Sequence, residues 1–265
     1  MKIAVVQQNH APGMAEENRR KALASAEEAL EHGADLILFH EEMTVGYSPL
    51  ARELAEPVCG ETSLQFQKLL ERRNSDARIV YGLTEKKDGK FYISAPVISR
   101  TGPVAVYRKT HLYRNAEGLR DEGKVFTPGD RFIFFDFQGL RFGLMICYDG
   151  DFTEPVEYYR RMGCQVVLWM NNRPSRGPED LVRFHAIRNS MMMCVSCCCG
   201  TDELGNACPG GSNIVDAAGN VRSVLWESEG ILYGTADRDE IMELREKNFW
   251  IRDRREDLYG VPASE

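Results

Sequence analysis

The sequence predicts an α/β fold in one domain, with mixed sheets covered by helices, and three observations carry that reading. The chain opens as strand, helix and strand. Apolar runs of strand length then alternate with helical patterns, with no linker rich in Pro, Gly or Ser and no internal repeat. Short runs are joined at Asp88-Gly89, Gln138-Gly139 and Gly219-Asn220, pairs that suit tight turns between antiparallel strands.

Taken in order, residues 3–8 read as a strand. Residues 15–32, rich in Ala, Glu, Lys and Leu with apolar positions at helical spacing, read as a helix stopped by Gly33. Residues 34–39 (Ala-Asp-Leu-Ile-Leu-Phe) return as a buried strand. A helix at 61–74 precedes strands at 77–83, 91–99 and 104–107, and a hairpin spans 132–137 and 140–146. Helices at 154–162 and 179–191 flank a strand at 165–170. The apolar run 192–199 is a strand bounded by Gly200. Strands at 213–215, 221–224 and 231–236 lead to a charged helix at 238–247. These elements make one domain, 1–247. Residues 248–265 are polar with aromatic anchors Phe249, Trp250 and Tyr259, a tail expected to pack on the body or on a partner subunit.

The 265 residues carry a net charge of −7 and no basic stripe, which argues against a nucleic-acid partner. The apolar start is too short for a secretory signal, and no stretch approaches the roughly 18 apolar residues of a membrane span. A cytoplasmic protein with no membrane partner is therefore expected. In that setting the eight cysteines read as free thiols. Cys194, Cys197, Cys198, Cys199 and Cys208 cluster in sequence and raise the question of a metal. On a strand, however, Cys194 and Cys197 face opposite sides, so small buried hydrophobes are the preferred reading and no metal is expected.

Three segments carry chemistry. In Phe142-Gly143-Leu144-Met145-Ile146-Cys147-Tyr148-Asp149 a buried strand ends at a cysteine, a junction that can present a nucleophile with the following N–H groups free to bind an oxyanion. A buried structural cysteine is the plainer alternative. Phe39-His40-Glu41-Glu42-Met43 puts carboxylates at a strand's carboxyl end, where partial burial makes a usable general base; an isolated loop acid is usually just solvated. Lys109, in Tyr107-Arg108-Lys109-Thr110-His111-Leu112, could stabilise a developing oxyanion or lie on the surface.

Together these segments resemble the nitrilase superfamily of carbon–nitrogen hydrolases. The matching pieces are the 34–41 strand with Gly46-Tyr47 after the Glu, the Lys109 segment, Phe126-Thr127-Pro128-Gly129-Asp130, and the Cys147 segment with Phe152 and Glu154. Gly210-Gly211-Ser212-Asn213-Ile214-Val215-Asp216 with Gly219, Arg252-Asp253-Arg254-Arg255, and Leu258-Tyr259-Gly260 continue the match in order to the end of the chain. The resemblance implies a four-layer α-β-β-α sandwich of two mixed sheets flanked by helices, and a homodimer or higher homo-oligomer. It implies a triad of Glu41, Lys109 and Cys147, with Glu41 chosen over Glu42 by its spacing from Gly46-Tyr47. Glu122, four residues before Phe126, is the implied second glutamate beside the lysine, and no cofactor is required.

The implied reaction cleaves a small amide or N-carbamoyl bond through a thioester. Glu41 takes the thiol proton during attack, Lys109 and the Tyr148 backbone N–H hold the oxyanion, and ammonia or an amine leaves. The Cys147-Tyr148-Asp149 signature looks more like the amidase and carbamoylase branches than like nitrilases converting nitriles to acids. Tyr47, Asn172, Arg173 and Arg176 are candidate substrate contacts. The two arginines suit a substrate carboxylate, with a solvated loop as the alternative. Three departures stand out: His40 replaces a Pro before the Glu, Thr153 a Pro after Phe152, and His185-Ala186-Ile187-Arg188-Asn189 an Arg-Ala-x-Glu-Asn pattern. His40 reads as a loop histidine or a pocket residue. A non-catalytic scaffold on the same fold, or a metal-binding protein using the cysteine cluster, are the readings of another class.

Overall fold

The computed structural model describes residues 1–9, 11–46, 48–118, 120–172, 179–202 and 205–255. In chain order its elements are β1 (Lys2–Asn9), α1 (Ala15–Glu31), β2 (Leu36–Leu38), α2 (Ala51–Leu54), α3 (Glu61–Arg72), β3 (Arg78–Val80), β4 (Leu83–Lys87), β5 (Lys90–Ser99) and β6 (Gly102–Arg108). Then follow β7 (Phe134–Phe137), β8 (Leu140–Ile146), α4 (Glu154–Arg161), β9 (Val166–Asn171), α5 (Glu179–Asn189), β10 (Met192–Thr201), β11 (Ala207–Val215), β12 (Val221–Trp226), β13 (Gly230–Thr235), α6 (Arg238–Lys247) and α7 (Phe249–Arg252).

Local sequence sets several of these directly. Asp88-Gly89 joins β4 to β5 and Gln138-Gly139 joins β7 to β8. Both residues of each pair take positive φ, at 49° and 74° and at 46° and 77°, the two-residue turn whose twist matches that of paired strands. The α1 face that packs on the sheet is Asn18, Ala22, Ala26 and Ala29, a small-residue stripe that lets the helix approach closely. Asp237 caps α6 by accepting from the Asp239 and Glu240 N–H groups at 2.9 and 3.2 Å.

The strands order as β4-β5-β3-β2-β1-β10-β9-β8-β7, with β6 beside β5, β13 beside β1, and β11 between β10 and β12. The expected pair of separate mixed sheets is corrected in one respect. A short parallel pairing of Gln8 with Cys198 and Asn9 with Cys199 joins the two halves into one 13-stranded sheet. It forms because β10 extends to Thr201, beyond its pairing with β9, and so reaches the end of β1.

Three apolar clusters fill the molecule. One joins Ile3, Val5, Leu36, Leu38 and Val97 of one half to Phe142, Leu144, Ile146, Leu168 and Met170 of the other. A second packs Ala22, Ala26, Phe66 and Leu70 of α1 and α3 against Ala4, Val6, Ile37 and Ile79. A third packs Val156, Tyr159, Val182 and Ala186 of α4 and α5 against Met145, Val167, Trp169 and Val195. Cys194 lies in the first cluster and Cys197 in the third, on opposite faces of β10 as strand alternation requires. No helix among the described residues is long and apolar enough to cross a membrane. The tail contacts the body as far as Arg254, whose guanidinium lies 2.8 Å from Glu157 on α4; residues 256–265 lie outside the described set.

Candidate active site

Four of the expected site residues follow strands that run in one direction. β1, β2, β3, β8, β9 and β10 are linked by parallel pairings. β6 is antiparallel to β5, itself antiparallel to β3, so β6 shares that sense. Glu41 follows β2, Lys109 follows β6, Cys147 follows β8 and Asn172 follows β9. Carboxyl ends of such strands are where open sheets place ligands.

Each side chain is set by its own local structure. The Glu41 turn is seated on Gly82, whose N–H donates to His40 O at 3.1 Å and whose carbonyl accepts from Met43 N at 3.0 Å. A Cβ on Gly82 would sit 2.2 Å from Glu42 N. This contact also breaks the single strand expected over 77–83 into β3 and β4. His40 is buried rather than solvated, with Nδ1 2.9 Å from Glu41 O. Lys109 is pinned by its N–H to Ile93 O and its carbonyl to Gly129 N, both at 2.8 Å. Beside it Glu85 grips Arg108 at 2.6 and 2.7 Å.

Lys109, 1% exposed, bridges two carboxyl groups. Its Nζ donates to Glu41 Oε1 at 2.8 Å and to Glu122 Oε1 at 2.7 Å. Glu122 opens a short 3-10 turn capped by Asp121, and its Oε2 accepts from Tyr113 N at 2.8 Å. The Cys147 thiol lies near enough to the Glu41 carboxyl to favour its charged form slightly. Glu42 points elsewhere, accepting from the Thr84 hydroxyl at 3.0 Å.

Burial raises the Glu41 carboxyl above its ordinary value; the Lys109 ammonium opposes this and the Glu122 charge adds to it. Burial also works against the Lys109 ammonium, but the charges of Glu122, Glu41 and Cys147 outweigh it and hold that group well above its usual value. Burial pushes Glu42 well above the carboxylate range, with the charges of Glu41 and Glu122 acting the same way. The array therefore favours a proton on its carboxyl groups beside a lysine held in its charged form.

The nucleophile turn is held from several directions. Cys147 has φ +45°, a left-handed conformation that a residue with a Cβ keeps only where its surroundings impose it. Trp169 Nε1 donates to Cys147 O at 3.0 Å, and His185 Nε2 donates to Gly150 O at 2.8 Å. Burial lowers the His185 imidazole pKa. A Cβ on Gly150 would lie 2.1 Å from the Trp169 ring. Asp149 turns back to accept from Ile146 N at 3.0 Å, Tyr107 OH at 2.7 Å, Thr110 Oγ1 at 2.8 Å and His111 N at 2.9 Å. One buried carboxylate thus ties the cysteine turn to the segment carrying Lys109.

The structure brings Glu41, Lys109, Glu122 and Cys147 together. The Tyr148 ring packs edge-on against Tyr113 and Phe152 at 5.4 and 5.2 Å. Asn172 is buried and accepts from the Cys198 thiol. Tyr47, Arg173 and Arg176 lie outside the described residues. Sequence reasoning missed Asp149, Trp169 and His185 as supports of the cysteine turn. An acid two residues past the nucleophile, able to bond back to its own turn, was the available signal for the first.

The sequence model of the carbon–nitrogen hydrolase family matches residues 2–246. An (R)-stereoselective amidase of Pseudomonas sp. is 32% identical over 85% of this chain and 81% of its own length. An omega-amidase of Mus musculus is 30% identical over 93% and 92%. Among solved structures, a CN-hydrolase superfamily protein of Xanthomonas campestris superposes with a TM-score of 0.85 at 22% identity, covering 96% of this chain and 97% of that one. With a family match along almost the whole length, the chain belongs to the carbon–nitrogen hydrolases.

Proposed function

We propose that the protein hydrolyses the carbon–nitrogen bond of a small amide or N-carbamoyl compound through a thioester on Cys147. The observation that carries this reading is the buried array in which Lys109 bridges Glu41 and Glu122 with the Cys147 thiol beside Glu41. Glu41 accepts the thiol proton as sulfur attacks the carbonyl carbon. Negative charge developing on the oxygen is met by the Lys109 ammonium and the Tyr148 N–H. Glu41, whose burial favours holding the proton, passes it to the departing nitrogen, and ammonia or an amine leaves. Water then gives a proton to Glu41 and its hydroxyl to the acyl carbon, and the thiolate recovers the proton as the acid departs.

Tyr47, Asn172, Arg173 and Arg176 are proposed to shape the acyl pocket. The three apolar clusters support a four-layer α-β-β-α arrangement. Phe184 and Ile187 on α5, with Phe249 and Trp250 on α7, are exposed apolar side chains suited to a homodimer contact. The test of the function is ammonia release from a panel of small amides, ureido acids, carbamoyl amines and nitriles. Turnover of one or more amide or carbamoyl members, lost in Cys147→Ala, is expected. Undiminished turnover in that variant, or turnover of nitriles alone, would refute the proposal.

A further inference from the structure

Asn172 stands one residue past β9 and beside the nucleophile strand, since Ile146 of β8 is level with Met170 of β9. Side chains along β9 alternate: Leu168 and Met170 enter the inter-sheet cluster that holds Cys147, and Trp169 faces the outer helices. Asn172 continues the inner series. The same alternation on β10 runs inward from Cys194 to Cys198, with Cys197 outward.

These two inner residues meet. The Cys198 thiol donates to Asn172 Oδ1 at 2.8 Å. Asn172 is 2% exposed, and its Nδ2 group has no hydrogen-bond partner among the described residues. A buried amide NH2 left unpaired is costly and uncommon, which points to a ligand as its partner. Cys198 also lies beside Cys208, and the charge of Glu41 reaches it. The Cys208 contact, burial and neighbouring charges keep Cys198 well above the usual thiol range, so the sulfur stays protonated and remains a donor.

We infer that Asn172, latched by the Cys198 thiol, presents its carboxamide NH2 to an oxygen acceptor on the acyl part of the substrate. This deepens the amide-hydrolase reading and rests on it. The direction of the latch decides the chemistry. With the thiol proton on Oδ1, the group left over is a donor, so the site selects a carbonyl, hydroxyl or carboxylate oxygen and disfavours an amine at that position. Asn172 is a specificity residue, and Cys198 is a positioning residue that acts through it.

The test uses ammonia-release kinetics on butyramide, its 2-, 3- and 4-hydroxy analogues, and succinamate. The hydroxy analogues report a neutral oxygen, and succinamate a charged one. The wild type is expected to prefer at least one oxygen-bearing analogue over butyramide in kcat/KM. Asn172→Leu, similar in size and without donors, is expected to cut that ratio about 10- to 100-fold, mainly through KM. Cys198→Ser keeps a proton for Oδ1 and is expected to retain the ratio, whereas Cys198→Ala frees the carboxamide to turn and loses most of it. Asn172→Ala removes the carboxamide altogether and gives the same readout where the Leu variant does not fold. No preference in the wild type, a ratio unchanged in both Asn172 variants, or equal losses in the two Cys198 variants would overturn this inference and leave the hydrolase reading standing. Failure of the wild type to release ammonia from any amide or carbamoyl compound would overturn both.

Discussion

Asp149→Asn tests whether one buried carboxylate sets the spacing between nucleophile and lysine. Its Oδ2 accepts from Ile146 N and Tyr107 OH, and its Oδ1 from His111 N and Thr110 Oγ1. An amide cannot serve both sides. With Nδ2 in the Oδ2 place the Ile146 N–H loses its acceptor, and in the Oδ1 place the His111 N–H does. Tyr107 and Thr110 can turn their hydroxyls; a backbone N–H cannot. One orphaned buried N–H costs about 1–3 kcal/mol, and the remaining bonds fall from charge-assisted to neutral strength. A loss of about 2–4 kcal/mol is expected from these two effects, lowering Tm by roughly 4–15 °C for a chain of this size. A shift of about 1 Å between Lys109 and Cys147 would further lower kcat by about 100-fold. Urea unfolding gives the stability term and ammonia-release kinetics the rate. Tyr107→Phe serves as the control, since it removes one 2.7 Å bond from the same carboxylate without stranding a backbone group and should cost about 1 kcal/mol. Wild-type kcat in Asp149→Asn, measured where the protein remains folded, would refute the spacing argument.

Three other substitutions probe separate terms. Glu42 has its folded-state carboxyl well above the ordinary 4.5, so the stability it contributes is present below that value and is lost as pH rises toward the folded one. Glu42→Gln should therefore match the wild type in Tm at acid pH and exceed it increasingly as pH rises; a pH-independent difference would contradict this. Glu122→Gln removes a charge that raises Glu41 and the strongest electrostatic support of Lys109. Both limbs of the kcat/KM profile should move to lower pH, the acid limb because Glu41 ionises more readily and the alkaline limb because Lys109 loses its proton sooner. An acid limb moving upward would show that Glu41 is not the base. Gly150→Ala places a methyl 2.1 Å from the Trp169 ring. It should destabilise by about 1–3 kcal/mol through forced repacking and depress kcat by displacing the Cys147 turn, which thermal melts and kinetics read independently.

What was legible in the sequence was what neighbouring residues decide among themselves. Asp88-Gly89 and Gln138-Gly139 carry their turn in their own φ preferences, and the 238–247 helix announces itself by its charged pattern. The direction of the strand ends was legible as well, because apolar runs feeding polar turns mark where β2, β6 and β8 stop. The strand at 77–83 failed as one piece because its break is not local: Gly82 leaves the ladder to seat the Glu41 turn some forty residues earlier in the chain. The choice between Glu41 and Glu42 has the same character. Composition cannot separate adjacent glutamates, and the resemblance separated them by spacing alone. In the folded chain the separation has a physical cause, since Glu42 has φ +47° and so turns its side chain to Thr84 while Glu41 faces the lysine. The partners of Asp149 and the meeting of Cys198 with Asn172 depend on register between strands, which a single sequence leaves open until the strands are paired. The site therefore divides in two. Its reactive groups stand at strand ends that local pattern reveals, whereas the groups that aim them are fixed by pairings across the sheet, and it is at the second kind that substitution separates positioning from chemistry.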